Sequence, residues 1–349
     1  MVKTGGDVGL AFALSTGAGL ATCIGGLIIF FKRLVSLASP KSLAIALSLS
    51  AGVMIFISLV EIFTESVENF SNGFSTLVEN QDKSCGQLGY EFDSFNETSG
   101  KYSCISCDES CEGNAWLSTT GCFILGAVII FVIDFIVQKI SPAAHDELEL
   151  EDINKLQEMN NDEATPNQNG SSNNTVNNVE NGNQSQQKLF EAGTKELNRT
   201  GVLTAIAIGI HNIPEGVATY ISAVSDLRVG ASLAIGIALH NIPEGIAVAT
   251  PVFFATKSRW KAFLWTFTSA LAEPFGAMLA WLIVGDGLNP TLEGLMFGIV
   301  CGMMTTISFK ELLPNSFKYH PEGPTVIISI LAGFGIMVLS LILFAYAGV

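Results

Sequence analysis

The chain is 349 residues long, 49% hydrophobic and only 14% charged, with a mean hydropathy of +0.45. Soluble domains carry about 25% charge, so the composition excludes an ordinary water-soluble globule. The formal charge of -15 excludes the basic face that a nucleic-acid binder needs.

Apolar segments long enough to cross a bilayer fall at 8–31, 41–63, 116–138, 201–224, 229–255, 262–284, 291–313 and 324–347. They predict an all-α membrane protein built as a bundle of eight transmembrane helices. The first segment lacks a strongly basic leader and is long enough to remain as a span. Residues 1–62 then hold spans one and two, 63–115 an extracytosolic loop with cysteines, and 116–139 span three. Residues 140–199 form a disordered cytosolic loop and 200–349 hold spans four to eight. The seventh span is the weakest by hydropathy because it contains Lys310 and Glu311.

The negative charge lies in the two long loops, 63–114 and 140–198, which carry eight net negatives each. Basic residues mark the cytosolic side of short connections. Lys32, Arg33 and Lys41 flank the first connection, and Lys257, Arg259 and Lys261 flank the fifth. Odd connections are therefore cytosolic and both termini extracytosolic, with the plasma membrane as the expected host. The second loop carries Cys85, Cys104, Cys107 and Cys111 with glycosylation sequons at Asn69 and Asn96, as an oxidising compartment and a glycoprotein would have. Two disulfides are expected there, with a zinc-capturing CxxCxxxC loop as the alternative. Cys23, Cys122 and Cys301 lie in spans and read as packing residues. The third connection is rich in Asn, Gln, Ser and Glu from 147 to 187, which predicts disorder.

The chemistry sits in a hexapeptide that occurs twice. HNIPEG covers His211 to Gly216 and again His240 to Gly245, near the middles of the fourth and fifth spans. On a helix His and Glu at i and i+4 share a face. His, Asn and Glu are costly in hydrocarbon unless they serve an ion, each other or a wet path. Antiparallel spans bring the two copies to one depth. Pro214 and Pro243 lack an N–H and free the carbonyls of Ile210 and Leu239, as broken helices do at transporter ion sites.

A second repeat crosses the chain. AGVMIFISLVEIFTES from Ala51 aligns without gaps on CGMMTTISFKELLPNS from Cys301, with Ser58 on Ser308 and Glu61 on Glu311. The two spans run in opposite directions, so the repeat is inverted, a mark of secondary transporters. No GxxxxGK[ST] phosphate loop occurs, which argues against ATP-driven pumping. The rival class is an intramembrane metalloenzyme, but zinc hydrolases need HExxH and di-iron enzymes ExxH. Here the residues after the histidines are Asn212 and Asn241.

These motifs, followed by Glu273 in AEPFGA on the sixth span, resemble the ZIP (Zrt/Irt-like) metal transporters, with the bacterial ZupT and GufA branch nearest in pattern. The resemblance implies an eight-helix bundle with inverted repeats, a binuclear metal centre at mid-membrane and metal flow toward the cytosol by alternating access. It implies one metal on His211, Glu215, His240 and Glu244. The second metal falls to Asn212, Asn241 and Glu273, with Glu215 and Glu244 bridging. Glu61 and Glu311 are expected as transit ligands near the pathway ends, and Met54 and Met304 as packing. Some family members have Asp where this chain has Asn241, and the third loop offers only His145 where the family is often His-rich.

Imidazole and carboxylate suit zinc first, then iron, manganese, cobalt or cadmium, with no thiolate to favour copper(I). The ions are substrate, and no cofactor is expected. Ligation needs neutral imidazole, so binding should weaken as pH falls through the histidine range. Lipid and a second copy of the chain are the other expected partners. Glycine-rich faces, including Gly17, Gly19, Gly25 and Gly26, are expected to let helices slide closely.

Overall fold

The computed structural model describes residues 5–31, 40–80, 91–96, 101–106, 109–140, 209–284 and 289–347. Cys85, Cys107, His145, the expected disordered connection and the first part of the expected fourth span lie outside them.

Helices dominate. They are α1 Gly5–Leu27, α2 Pro40–Phe56, α3 Phe63–Phe74, α4 Glu109–Ile140, α5 over 209–225, α6 Leu227–Thr256, α7 Arg259–Ala270, α8 Ala272–Val284, α9 Pro290–Ile307, α10 Leu313–Tyr319 and α11 Gly323–Ala347. Among the described residues seven continuous stretches are long and apolar enough to cross a membrane, from Val8–Phe30 to Gly323–Leu343. The expected fourth span is described only from residue 209, as α5, and is not one of the seven.

Burial is inverted relative to a soluble protein. Leu117 and Ile328 are exposed, while Ser15, Ser50, Asn212, Glu215, His240 and Glu273 are buried. That is the order lipid imposes, since hydrocarbon offers no partner to a polar group. Met54 and Met304 lie in the apolar core, as packing residues do.

Three features depart from the hydropathy reading. The second-span helix does not stop at 63 but continues as α3 to Phe74, beyond the apolar window. The loop behind it carries a three-stranded antiparallel sheet, β1 Thr76–Asn80, β2 Glu91–Asn96 and β3 Lys101–Ser106, in the order β1-β3-β2. Cys111, near the start of α4, is disulfide-bonded, and Cys23, Cys122 and Cys301 are free. Finally, the expected sixth span is divided at Leu271 into α7 and α8, with Pro274 in the first turn of α8, where its missing N–H costs nothing.

The inverted repeat is also a repeat of winding. Between α2 and α3 the chain forms a π-helical segment, Ile57–Ile62, and between α9 and α10 another, Ser308–Leu312. Phe63 N–H closes onto the Ser58 carbonyl and Leu313 N–H onto the Ser308 carbonyl, the same i to i−5 bond at aligned positions. Ser58 and Ser308 each bond back one turn, to Met54 O at 2.7 Å and Met304 O at 2.9 Å. Such π segments gather at functional sites.

Close helix approaches divide the bundle into two groups. In the first, Gly25 of α1 faces the Ile242 carbonyl of α6 and Gly245 of α6 faces the Thr22 carbonyl of α1. Gly216 of α5 likewise faces Glu273 O, and Gly276 of α8 faces Ile213 O. In the second group the reciprocal pairs are Gly52 with Gly333, joining α2 to α11, and Gly126 with Gly302, joining α4 to α9. A Cβ at any of these eight positions would strike backbone. Where Gly236 of α6 meets the second group, its neighbours are the flexible ends of Ile57 and Met337. Gly19 faces the Ala270 carbonyl and Gly26 the Thr266 side chain, so with Gly25 they hold α1 onto its own group, while Gly17 meets nothing within 4 Å.

Candidate metal centre

Both HNIPEG copies stay helical through their prolines. The turn joining α5 to α6 is a single residue, Asp226, whose carboxylate accepts from Arg228 N–H at 2.7 Å and caps α6. This hairpin sets the two motifs side by side.

His240 is held at both nitrogens. Nδ1 lies 3.2 Å from the Gly236 carbonyl and Nε2 lies 3.1 Å from Glu215 Oε1. Because the carbonyl can only accept, Nδ1 carries a proton, and Nε2 faces a carboxylate across the centre. Histidine ligands are oriented by such a bond on the far nitrogen. Glu215, His240 and Glu244 bring one ligand atom each within 4.8 Å of one another, all buried. Across the centre, His211 Nε2 meets Glu311 Oε1 at 3.4 Å. Adjacent ligands of a tetrahedral zinc with bonds near 2.0–2.1 Å lie about 3.3 Å apart, so both His–Glu separations fit edges of such a site.

Beside this nitrogen–oxygen cluster lies a set of oxygens. Asn241 Nδ2 donates to Ala18 O at 3.0 Å and Glu273 Oε2 at 2.9 Å. Asn212 Nδ2 donates to Ser269 O at 3.5 Å. Their amide donors thus turn to the protein walls. Asn212 Oδ1, Asn241 Oδ1, Glu215 Oε2, Glu244 Oε2 and Glu273 Oε1 are buried and accept nothing from the protein. Native interiors pair nearly all buried polar atoms, and each unpaired one costs about 1–3 kcal/mol or more when charged. Five acceptors left open together on three facing helices fit a cation between them.

Charge agrees. Counting Glu311, the centre holds four carboxylates and two imidazoles, which two divalent ions would neutralise. The nearby cation, Lys310, is turned away: it pairs with Asp134 of α4 and lies 5.8 Å from the Phe131 ring. From adjacent positions Lys310 pairs with Asp134 and Glu311 with His211, which reconciles two charges with a membrane-spanning helix.

The structure thus brings together Glu215, His240 and Glu244, sets Asn241 on Glu273, and joins His211 to Glu311. Glu61 stays apart, with both carboxylate oxygens buried and without a hydrogen-bond partner. Hydropathy marked Glu311 as a weakness in its span and the resemblance as a transit ligand near a pathway end; its direct meeting with His211 was not among the expectations.

Residues 9–341 match the profile of the family described as ZIP Zinc transporter. Bacterial relatives named zinc transporter ZupT match over nearly full length. The protein of Nitratidesulfovibrio vulgaris Hildenborough is 36% identical, with 97% of this chain and 98% of the relative covered. That of Lysinibacillus sphaericus C3-41 is 36% identical over the same shares. That of Clostridium perfringens strain 13 is 33% identical over 97% of this chain and 99% of the relative. The relatives are transporters by name, and nothing in the comparison favours an enzyme. The chain is a multi-pass membrane protein and belongs to the ZIP zinc transporter family.

Proposed function

We propose that this chain carries a divalent metal cation, zinc first, with iron or manganese as alternatives, across the membrane toward the cytosol. The observation that carries the reading is the set of buried, unpaired ligand oxygens beside the His–Glu cluster. The first metal position is His211, Glu215, His240 and Glu244 with Glu311. The second is Asn212, Asn241 and Glu273, with Glu215 and Glu244 shared. The ZupT relatives support zinc as the cargo.

The path alternates access by movement of one helix group, α1 with α5 to α8, against the other, α2 to α4 with α9 to α11. Reciprocal glycine contacts hold each group together, while side chains fill the boundary. The fourth span, of which α5 is the described part, brings the count to eight. Short basic connections support cytosolic odd loops and extracytosolic termini. The apolar outer rows of α4 and α11 face lipid or a second copy of the chain. Of the two sequons, Asn96 at the end of β2 is the better glycan acceptor, because Asn69 Nδ2 is already bonded to Glu65 O at 2.9 Å within α3.

Uptake by proteoliposomes tests the function. Vesicles containing the chain should accumulate zinc saturably, and iron, manganese and cadmium should compete in a measurable order. Accumulation no faster than in protein-free vesicles refutes it. Within the same reading, Asn241→Asp adds a carboxylate to the oxygen-rich position and should tighten binding there about 10-fold, the scale of ligand-shell changes, as read by calorimetric titration.

A further inference from the structure

The two π segments are sequence mates, yet their carboxylates stand in different situations. Glu311 engages His211 at 3.4 Å, while Glu61 is buried with both oxygens unpaired. The inverted repeat relates α2 to α9, and the doubled HNIPEG hairpin relates α5 to α6. Under that exchange the Glu311–His211 pair has an image, Glu61 with His240. His240 does pack against the helix that carries Glu61, but lower down: its carbonyl accepts from Ser50 Oγ at 3.3 Å, and its ring turns back to Gly236, which faces Ile57. Ile57 and Glu61 are four residues apart, about 6 Å along a helix.

One displacement serves both pairs. α2 and α3 run toward the β-sheet end of the bundle, and α9 runs away from it. If the α5–α6 hairpin moves toward the sheet end, the His240 ring advances from the level of Ile57 toward Glu61. The same movement carries His211 away from Glu311. We infer that Glu61 and Glu311 are alternate ligands of one travelling metal site: Glu311 completes it in the conformation described above, and Glu61 replaces Glu311, on His240, in the opposite one. This rests on the transport reading. Its addition is an exchange of carboxylates, so that the cluster keeps the same number of carboxylates at both ends of the movement.

Two measurements test it. In oriented proteoliposomes Glu61→Gln should raise the KM for zinc presented at the sheet side at least 10-fold while leaving equilibrium zinc affinity in detergent within 2-fold. Glu311→Gln should weaken that equilibrium affinity. Separately, a chain with its free cysteines replaced (Cys23→Ala, Cys122→Ala and Cys301→Ala), with Glu61→Cys and His240→Cys and a protease site in the connection after Ile140, should be held together by mercury(II) after cleavage. Neither chain carrying only one of the two introduced cysteines should be. A wild-type KM in Glu61→Gln, or absence of the mercury bridge, overturns the exchange. The bridge needs no flux, so failure of the wild type to transport zinc would sink the transport reading by itself and leave this test readable.

Discussion

Glu215→Ala abolishes zinc binding at both positions of the centre, lowering affinity by more than the about 10–100-fold that loss of an outer-shell partner costs. The expectation follows from the division of labour in one carboxylate. Oε1 holds His240 Nε2 at 3.1 Å and Oε2 is one of the five open acceptors. No other side chain in the centre both orients a histidine and faces the oxygen-rich position. Calorimetric titration of the purified chain should give two zinc ions for the wild type and none for the variant in the same range. Glu215→Gln keeps the shape and removes the charge, and should fail similarly; retained affinity in that variant would mean the charge is dispensable. Thermal melting separates this from misfolding, because removing one of several crowded carboxylates should not lower the Tm.

Gly245→Leu should abolish transport through architecture. A Cβ at this position lands on the Thr22 carbonyl of α1, and Gly25 opposes it reciprocally. Neither backbone can yield without parting α1 from α6. That separation also withdraws Ala18 O from Asn241 Nδ2, the 3.0 Å bond that orients Asn241 toward Glu273. The cost should exceed the about 1–3 kcal/mol of ordinary overpacking, visible as a lowered Tm with loss of uptake. Gly9→Leu and Gly335→Leu are matched controls, since a Cβ there meets nothing within 4 Å. Both should melt and transport as wild type.

How much of this was legible in the chain depended on which physical signal each feature leaves. The HNIPEG doublet was legible because polar residues at i and i+4 in hydrocarbon have few other uses, and the structure sets Glu215, His240 and Glu244 together. The equivalence of Glu61 and Glu311 was legible from alignment. Their π winding was not, because segments of six and five residues are too short to leave a period. The Leu271 break had its signal in Pro274, but a continuous apolar window concealed it. Hydropathy measures the bilayer and not the helix, so α3 ran past its predicted end. The sheet behind α3 left no signal in the chain, because acids, cysteines and sequons interrupt any alternation of apolar and polar residues in its strands. Glycines were read as a means of sliding, whereas reciprocity across pairs such as Gly25 and Gly245, which only coordinates reveal, makes them locks.

The proposed path of the metal across the membrane runs through the buried cluster. Zinc entry should be recorded with an indicator sealed inside proteoliposomes holding equal amounts of folded wild type or Glu215→Ala. Saturable entry is expected for the wild type and the protein-free leak rate for the variant. Equal entry through both proteins would contradict it.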